Sequence, residues 1–577
     1  AQVYFGKDVQ ELSLAEAALL AGIPKSPTQF SPFGTNPQKS IERQREVLRL
    51  MQINGYISEK QRKEAEDEEL KFSQNKIDII APHFVMYVKD ELEKEYSKEV
   101  VEKGGLEVIT TLDYSIQKLA EEVVKEEIDK LTKLNVTNAS VVILNPQTGE
   151  VLAMVGSKDY FDISNDGNVN VVISLRQPGS SIKIVNYAYA LSNGFTAASI
   201  IYDTPTTFFV QGQKPYTPKN YEGGYRGALT LRSAFAESRN IPAVKVLNSY
   251  GVKNMVEMGR KMGITTWKDP YNYGLSLTLG GGEVKLIDLA RVYATAANYG
   301  RRPEITSILR VTNYKGKILE EFKCKVRQTD GVKLASQKKE INQVSLANST
   351  NPFDKLTDKL VKDTIASQTA DIFSINKDNC DYPQVLDPRV AYILTDILRD
   401  NNARAPTFGT NSMLVIPNHS EVAVKTGTSN NLRDNLTIGY NQRYVVAVWV
   451  GNNNNSPMNR IASGVTGASP IFNKIMTSIL KKEQNHDWDI PKGLTQLPIC
   501  PITGTLACEG CPVKMEWFLE ENKPELACNP KQFQKNEVTD SIKANDKAII
   551  EEKLETEHPF VPPGVDQSKK RKPLIIY

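Results

Sequence analysis

The sequence predicts an α+β protein in which helices flank an antiparallel sheet with an all-helical subdomain, and a mainly helical segment precedes it. Three patterns lead to this prediction. Residues 140–156 alternate as a β-hairpin around an Asn-Pro-Gln-Thr-Gly turn, and residues 421–451 carry further strand patterns. Helical spacing dominates residues 229–298, which lie between these two sets. Strands before and after a helical block in one domain favour a sheet covered by helices.

The composition is that of a globular protein without a strong overall charge. The chain has 577 residues, of which 40% are hydrophobic and 24% charged. A formal charge of +3 is small for this length, so we expect no nucleic-acid partner. No apolar run approaches the roughly 18–20 residues that cross a bilayer, and no signal peptide is visible. Because the chain begins with Ala1 inside a pattern, we expect preceding sequence, including any membrane anchor, to be absent.

The first 78 residues are predicted to be helical. Ser13 and Glu16 form a capping box before an Ala- and Leu-rich run that Gly22 ends. A second helix is predicted over residues 37–53. Residues 58–78 are heavily charged, which is typical of a surface helix followed by a connector.

The later elements follow from the same kinds of pattern. Alternation predicts a strand over residues 106–110, and Asp113 begins a helix. Residues 320–382 are polar and irregular and are predicted to be an insertion. Further on, the patterns predict one helix and three strands: residues 388–400, then 421–425, 435–440 and 444–451.

Four of the six cysteines are grouped near the C-terminus: Cys500, Cys508, Cys511 and Cys528. A Cys-x-x-Cys pair within such a group fits two disulfides, a small zinc site or free thiols. Each alternative is structural, so catalysis is not expected there. The remaining tail, from residue 535, is charged and contains prolines.

The stretch Arg176–Lys183 contains the strongest candidate for a nucleophile. Pro178 and Gly179 are turn residues, and a buried helical pattern follows them. Ser180 is therefore expected at a helix N-terminus, where free N–H groups favour developing negative charge. Lys183 returns to the same face three residues later. A serine, an amine and an anion-stabilising helix end are the parts of an acyl-transfer site.

The Ser-x-x-Lys spacing alone is weak, because it recurs at other positions such as Ser115 and Lys118. Ser238-Arg-Asn240 is weaker still, while Lys425-Thr426-Gly427 occurs once, in a strand pattern. The three motifs in this order are the signature of penicillin-binding proteins and class A β-lactamases.

The residues around these motifs strengthen the resemblance. They read Arg-Gln-Pro-Gly-Ser-Ser-Ile-Lys at 176–183, Ser-Arg-Asn-Ile-Pro-Ala-Val at 238–244, Leu-Thr-Leu-Gly-Gly-Gly-Glu at 277–283 and Val-Lys-Thr-Gly-Thr at 424–428. Over roughly residues 1–480 the chain resembles a class A, bifunctional penicillin-binding protein. The implied fold is that of the penicillin-binding transpeptidases and serine β-lactamases.

The N-terminal residues resemble the end of the family's glycosyltransferase domain. They include Tyr4–Lys7, the run at 14–22 and Arg43, which is the one position carried over from that site. The family's catalytic glutamates belong to motifs that would precede Ala1. We therefore expect no glycan polymerisation from this chain.

The resemblance implies a peptidoglycan D,D-transpeptidase that acts through a serine acyl-enzyme on D-alanyl-D-alanine. Ser180 is the implied nucleophile and Lys183 its base, and Lys425 supplies a positive field. Ser238 is implied to pass protons, while Asn240 orients Lys183 and holds a substrate carbonyl. The implied substrate-binding residues are Thr426, Gly427 and Thr428, and the N–H groups of Ser180 and Thr428 are implied to form the oxyanion hole.

The implied partners are stem peptides, as donor and acceptor, and β-lactam antibiotics, with no metal or organic cofactor. The implied location is the extracytoplasmic face of a bacterial cell membrane, reached through a segment that this chain lacks. Two alternatives remain: a D,D-carboxypeptidase or β-lactamase that transfers the acyl group to water, and a non-catalytic wall-binding scaffold.

These patterns divide the chain into four expected segments. Residues 1–75 form the glycosyltransferase remnant, 76–135 a linker, 136–485 the transpeptidase domain and 486–577 a cysteine-containing extension with a charged tail.

Overall fold

The computed structural model describes residues 1–33, 37–72, 79–209, 214–221, 223–322, 380–459, 466–533 and 575–576. The chain divides into two compact units, Ala1–Ile80 and Ala81–Tyr577. Most of the predicted insertion at 320–382 and most of the charged tail lie outside the described residues. Among the helices within them, none is long and apolar enough to span a membrane.

The first unit is helical, as predicted. Its helices are α1 (Gln2–Phe5), α2 (Leu14–Gly22), α3 (Pro27–Phe30), α4 (Gln38–Ile53) and α5 (Glu59–Asp67). The capping box forms, since the Glu16 N–H donates to Ser13 Oγ and the Ser13 N–H donates to Glu16 Oε2. Ala15, Ala18, Leu48 and Ala65 make the small core, and the Arg43 guanidinium lies 5.9 Å from the centre of the Phe30 ring.

The second unit is built on a five-stranded antiparallel sheet. The strands among the described residues are β1 (Glu107–Thr110), β2 (Asn138–Leu144), β3 (Val151–Val155), β4 (Leu175–Arg176), β5 (Ile200–Asp203), β6 (Gly227–Thr230), β7 (Val284–Lys285), β8 (Ile308–Thr312), β9 (Ile318–Glu321), β10 (Ala423–Thr428), β11 (Asp434–Tyr440), β12 (Val445–Gly451), β13 (Leu494–Ile499), β14 (Lys514–Leu519) and β15 (Ile575–Ile576). The main sheet has the order β10-β11-β12-β2-β3, so the predicted hairpin joins the later strands.

Helices cover both faces of this sheet. The described helices of the second unit are α6 (Pro82–Tyr96), α7 (Lys98–Lys103), α8 (Tyr114–Leu131), α9 (Lys183–Ser192), α10 (Leu231–Ala236), α11 (Asn240–Tyr250), α12 (Val252–Met262), α13 (Leu286–Ala297), α14 (Pro388–Arg399), α15 (Asn401–Phe408) and α16 (Ala468–Leu480). Val141 and Val448 pack with α8 and α16 on one face, whereas Val142 and Ala447 pack with α9, α13 and α14 on the other. Successive side chains of a strand point to opposite faces, so near-continuous apolar strands fit a sheet buried on both sides. The predicted α+β class is confirmed.

Residues 81–135, most of the linker predicted at 76–135, belong to the second unit. Helix α6 buries Phe84, Val88 and Leu92 in the larger core. Strand β1 pairs with β8, and α8 packs on the sheet. In the sequence, the many charged residues of these elements obscure the apolar positions through which they pack on the rest of the second unit.

The helical subdomain between β4 and β8 also contains a short antiparallel pair, β5 with β6. Strand β15 pairs with β5 in parallel. The β5–β6 pair places Asp203, the last residue of β5, near the start of α11, which is important for the site.

The C-terminal extension forms a β13–β14 hairpin and two disulfides, Cys500–Cys511 and Cys508–Cys528. Of the three alternatives for these cysteines, the structure contains the disulfides. A buried ion pair attaches the hairpin to α10, because Arg232 Nη2 and Nε donate to the two oxygens of Glu516. Asp396 and Asp400 of the α14–α15 region also bind Arg232.

Candidate active site

Ser180 lies in a single turn of 3-10 helix, Gly179–Ile182, that leads directly into α9. The prediction of a turn that opens a buried helix is therefore confirmed. Gly179 has a φ of +54°, and a Cβ there would lie 2.5 Å from both the N and the O of Thr428. Only glycine combines this backbone conformation with so close an approach. The turn is thus held against the end of β10.

Strand β10 carries Lys425, Thr426, Gly427 and Thr428 at an edge of the main sheet. Thr428 pairs with Asn435, and the next N–H along, that of Ser429, donates to Asp434 O. Antiparallel pairs alternate between hydrogen-bonded and non-hydrogen-bonded positions, so the Thr428 N–H faces away from β11 towards the open edge.

Gly427 also has a packing role, beside the substrate-binding role that the resemblance implies. In the structure, a Cβ at Gly427 would lie 2.3 Å from Pro178 O and 3.0 Å from the Ser181 N. The residue therefore allows β10 to pack against the Ser180 turn.

The Ser238–Asn240 turn lies between α10 and α11 and receives both lysine amines. Lys183 Nζ donates to Ser238 O at 2.7 Å, to Arg239 O at 3.1 Å and to Asn240 Oδ1 at 2.7 Å. Lys425 Nζ donates to Ser238 Oγ at 2.7 Å and to Thr426 O at 2.9 Å. Ser238 has a φ of 61°, the left-handed region that is uncommon for residues other than glycine.

Both lysines are buried, and this lowers their affinity for protons. Burial holds the pKa of Lys183 well below its usual value, and the positive charges of Lys425 and Arg239 lower it further. Burial also lowers the pKa of Lys425 to about 7. A buried ammonium has lost its hydration, so the neutral amine becomes accessible near neutral pH.

A cavity of about 410 Å³ opens beside these groups. Six of the residues named from the sequence line it: Ser180, Ser238, Asn240, Thr426, Gly427 and Thr428. Within the described part of the chain, Lys183 and Lys425 are not among its lining residues, so they reach it only through the side chains in front of them. The structure thus brings the eight residues together, six at the cavity surface and two behind it.

Several residues at this cavity were not predicted. Tyr216, Lys219 and Asn220 form one wall, and Phe408 and Leu432 contribute elsewhere. Behind the wall, Asp203 is fully buried and binds Arg239. Arg239 lies inside the Ser-x-Asn motif. It was the one feature of the sequence that indicated a buried acidic partner such as Asp203, because a charged residue in a buried motif needs an opposite charge. The sequence contained no comparable indication of the others.

Comparison with known proteins assigns the chain to a family. Residues 139–477 match the penicillin binding protein transpeptidase domain, and residues 1–52 match the transglycosylase family. Penicillin-binding protein 2D of Bacillus subtilis is 30% identical over 560 residues, which cover 96% of this chain and 71% of that protein. The chain belongs to the class A penicillin-binding proteins.

Solved penicillin-binding proteins share the fold. Penicillin-binding protein 1A of Haemophilus influenzae has a TM-score of 0.70 at 22% identity, covering 92% of this chain and 89% of that one. PonA1 of Mycobacterium tuberculosis in complex with penicillin V has a TM-score of 0.53 at 19% identity, covering 71% and 96%. The fold is therefore that of the penicillin-binding transpeptidases.

The C-terminal extension also matches a known domain. Residues 490–532 match the C-terminal domain of penicillin-binding protein 1A, and this range contains the β13–β14 hairpin and both disulfides described above. The extension is attached to the transpeptidase domain through Arg232 and Glu516.

Proposed function

We propose that this chain is a D,D-transpeptidase that crosslinks peptidoglycan stem peptides through an acyl-enzyme on Ser180. The proposal rests on one observation: two buried lysine amines both donate hydrogen bonds to the Ser238–Asn240 turn. Lys183 binds the Ser238–Asn240 turn through three oxygens and Lys425 binds the Ser238 hydroxyl, while Ser180, Ser238 and Asn240 share one cavity.

Attack requires the Ser180 hydroxyl to lose its proton, and Lys183 is the proposed acceptor. A neutral Lys183 amine has two N–H groups and one lone pair. It can therefore keep two of its three hydrogen bonds to the Ser238–Asn240 turn while its lone pair accepts the Ser180 proton. Burial and the neighbouring positive charges favour this neutral form. General bases of this kind typically contribute about 10²–10⁴-fold to the rate.

The tetrahedral oxygen is proposed to lie between the N–H groups of Ser180 and Thr428. The alternation of the β10–β11 ladder turns the Thr428 N–H to the open edge, next to the Ser180 turn. Removing one such donor typically costs about 3–4 kcal/mol of transition-state stabilisation. The donor peptide then runs along β10, where Thr426 and Thr428 meet its terminal carboxylate.

Collapse of the tetrahedral species breaks the amide bond, and the leaving D-alanine nitrogen must gain a proton. Ser238 Oγ is the proposed donor, and the Lys425 amine behind it restores that proton along their 2.7 Å hydrogen bond. In the second half, the acceptor amine attacks the acyl-enzyme and loses its proton by the same path. The new amide forms, and Ser180 regains its proton from Lys183.

We further propose that β-lactams acylate Ser180. The strained lactam amide takes the place of the D-alanyl-D-alanine bond, and its amine stays tethered, so deacylation is slow. A complex with penicillin V is known for PonA1, whose fold resembles this one. The two disulfides support a site of action outside the cytoplasm, at the outer face of the cell membrane where peptidoglycan is made.

Labelling with a fluorescent penicillin tests the nucleophile. Wild type is expected to label, with the adduct on the peptide that contains Ser180 by mass spectrometry, and Ser180→Ala is expected not to label. Ser181→Ala is the matched control, because the Ser181 hydroxyl donates to Pro178 O at 2.6 Å within the turn and is fully buried. Labelling of Ser180→Ala, or an adduct elsewhere, would contradict the assignment.

The acceptor is tested with a pentapeptide donor ending in D-alanyl-D-alanine and with glycine or a D-amino acid as acceptor. A transpeptidase forms the exchanged peptide. Free D-alanine without that product would point to a D,D-carboxypeptidase or β-lactamase. If neither product nor penicillin adduct appears, the chain is a non-catalytic scaffold.

A further inference from the structure

Two walls of the cavity meet at one buried carboxylate. The first wall is the segment with Tyr216, Lys219 and Asn220, and the second is the Ser238–Asn240 turn. Asp203, at the end of β5, lies behind both walls and has no exposed surface.

Asp203 binds both walls directly. Its Oδ2 accepts from Arg239 Nε at 2.8 Å and from the Arg226 N–H at 3.1 Å. Its Oδ1 accepts from Asn220 Nδ2 at 2.8 Å. Asn220 in turn accepts the Asn240 N–H at 3.0 Å, so its side chain caps the first turn of α11. One carboxylate thus links the two walls, which also bond directly through Asn240 Nδ2 to Lys219 O at 2.8 Å.

The same carboxylate balances the charge around Lys183. Three charged groups act on that amine: Lys425 from β10, Arg239 from the turn and Asp203 from β5. Lys425 and Arg239 favour loss of the Lys183 proton, and Asp203 opposes it. Lys245 of α11 also feels the charge of Asp203, while its amine donates to Thr204 Oγ1.

We propose that Asp203 is a positioning residue for acylation, which holds the two cavity walls together and opposes the charge of Arg239 beside Lys183. The left-handed backbone of Ser238 fits this role, because such a conformation persists only where the surroundings hold it. The bonds of Arg239 to Asp203 and of Asn240 to Asn220 fix the residues that follow Ser238.

The proposal rests on the proposed function and is tested by the pH dependence of acylation. The second-order rate constant for a fluorescent penicillin is measured between pH 5.5 and 9.5 for wild type, Asp203→Asn, Arg239→Gln and the double variant. The rising limb of the profile reports loss of the Lys183 proton. Asp203→Asn is expected to move it to lower pH by about half a unit or more, and Arg239→Gln to higher pH by a similar amount.

The double variant is expected to return close to the wild-type pH limb, although its rate constant falls because the walls have lost the hydrogen bonds that run through Asp203. A purely structural role predicts lower rates in all three variants without opposite shifts, and that result would overturn the proposal. If Asp203→Asn does not fold, as judged by circular dichroism, the pH limbs of the other two variants decide. A limb at higher pH in Arg239→Gln that returns towards wild type in the double variant supports the proposal, and an unshifted limb in Arg239→Gln overturns it.

Glu516→Gln is the matched control, because it also removes a buried carboxylate from a buried arginine. Neither Glu516 nor Arg232 acts on Lys183, so its pH limb is expected to stay at the wild-type position. A shift equal to that of Asp203→Asn would overturn the proposal. The mass of the Ser180 adduct in wild type is checked in parallel: its absence contradicts the proposed function, whereas an adduct without opposite shifts contradicts only the role of Asp203.

Discussion

Lys425 Nζ donates a 2.7 Å hydrogen bond to Ser238 Oγ, joining residues that are 187 positions apart in the chain. The contact links the edge strand of the main sheet to the turn between α10 and α11. It also leaves the Ser238 hydroxyl at the cavity surface with a buried amine directly behind it. A hydroxyl and an amine in this arrangement are expected to act as one proton-transferring unit.

A double-mutant cycle tests that unit. Ser238→Ala and Lys425→Met are each expected to lower the rate constant of acylation by about 100-fold or more, since each removes one end of the proton path. Because groups that act as a unit are non-additive, the double variant is expected to be about as slow as the slower single variant. The measurement is the second-order rate constant for a fluorescent penicillin. Effects that multiply in the double variant would show that the two residues act separately.

The stability of the protein is expected to rise between pH 7 and pH 9. Burial lowers the pKa of Lys425 to about 7, whereas a lysine in the unfolded chain titrates near 10.4. Between these values the unfolded state binds the proton that the folded state has released, so the free energy of unfolding increases with pH. Each such lysine contributes up to about 1.4 kcal/mol per pH unit, and Lys183, whose pKa is also lowered, acts in the same direction.

Urea denaturation at pH 7, 8 and 9 measures this effect. In Lys425→Met the Lys425 contribution is absent, so the rise in the free energy of unfolding is expected to be smaller than in wild type. Identical slopes in the two proteins would mean that Lys425 keeps an ordinary pKa in the folded state.

Gly179→Ala is expected to slow acylation more than a glycine-to-alanine substitution at another position of positive φ. The backbone conformation alone costs about 1–2 kcal/mol, and the added Cβ would also meet the Thr428 backbone at 2.5 Å. Because that contact displaces the Ser180 turn from β10, we expect acylation to fall by at least about 10-fold. Gly194→Ala is the control, since Gly194 has a φ of +98° and nothing within 4 Å of a Cβ. Equal effects of the two variants on acylation would remove the contact as the cause.

The C-terminal extension is expected to stabilise the transpeptidase domain through Glu516. This carboxylate is 1% exposed and binds Arg232 in α10, so Glu516→Gln leaves the arginine with one fewer anion in a buried site. Removing one partner of a buried pair typically costs about 3–5 kcal/mol of the free energy of unfolding, and we expect the lower end here because Asp396 and Asp400 still bind Arg232. Glu521, which binds Arg389 but is 57% exposed, is the matched control, and Glu521→Gln is expected to cost about 1 kcal/mol or less. Urea denaturation measures the free energy of unfolding of both variants. Similar losses in the two would argue against a stabilising role of the Glu516–Arg232 pair.

The predicted elements were recovered where the local pattern was strong. The capping box at Ser13, the hairpin at 140–156 and the turn before α9 depend on neighbouring residues, so the sequence alone predicted them. The linker predicted at 76–135 differs from the structure. The apolar residues of α6 and α8 pack on parts of the chain that are distant in sequence, so the local pattern did not show that these helices belong to the domain.

By itself, the sequence determined the α+β class, the family and the residues expected at the site, because Ser180, Ser238 and Lys425 lie in short motifs with recognisable neighbours. The tertiary structure decided how these motifs meet. It placed Lys425 behind Ser238, turned the Thr428 N–H to the open edge and brought Asp203 to Arg239. It also showed that Gly427 serves the packing of β10 on Pro178. These relationships join distant segments through burial and hydrogen bonding, which a local pattern does not encode.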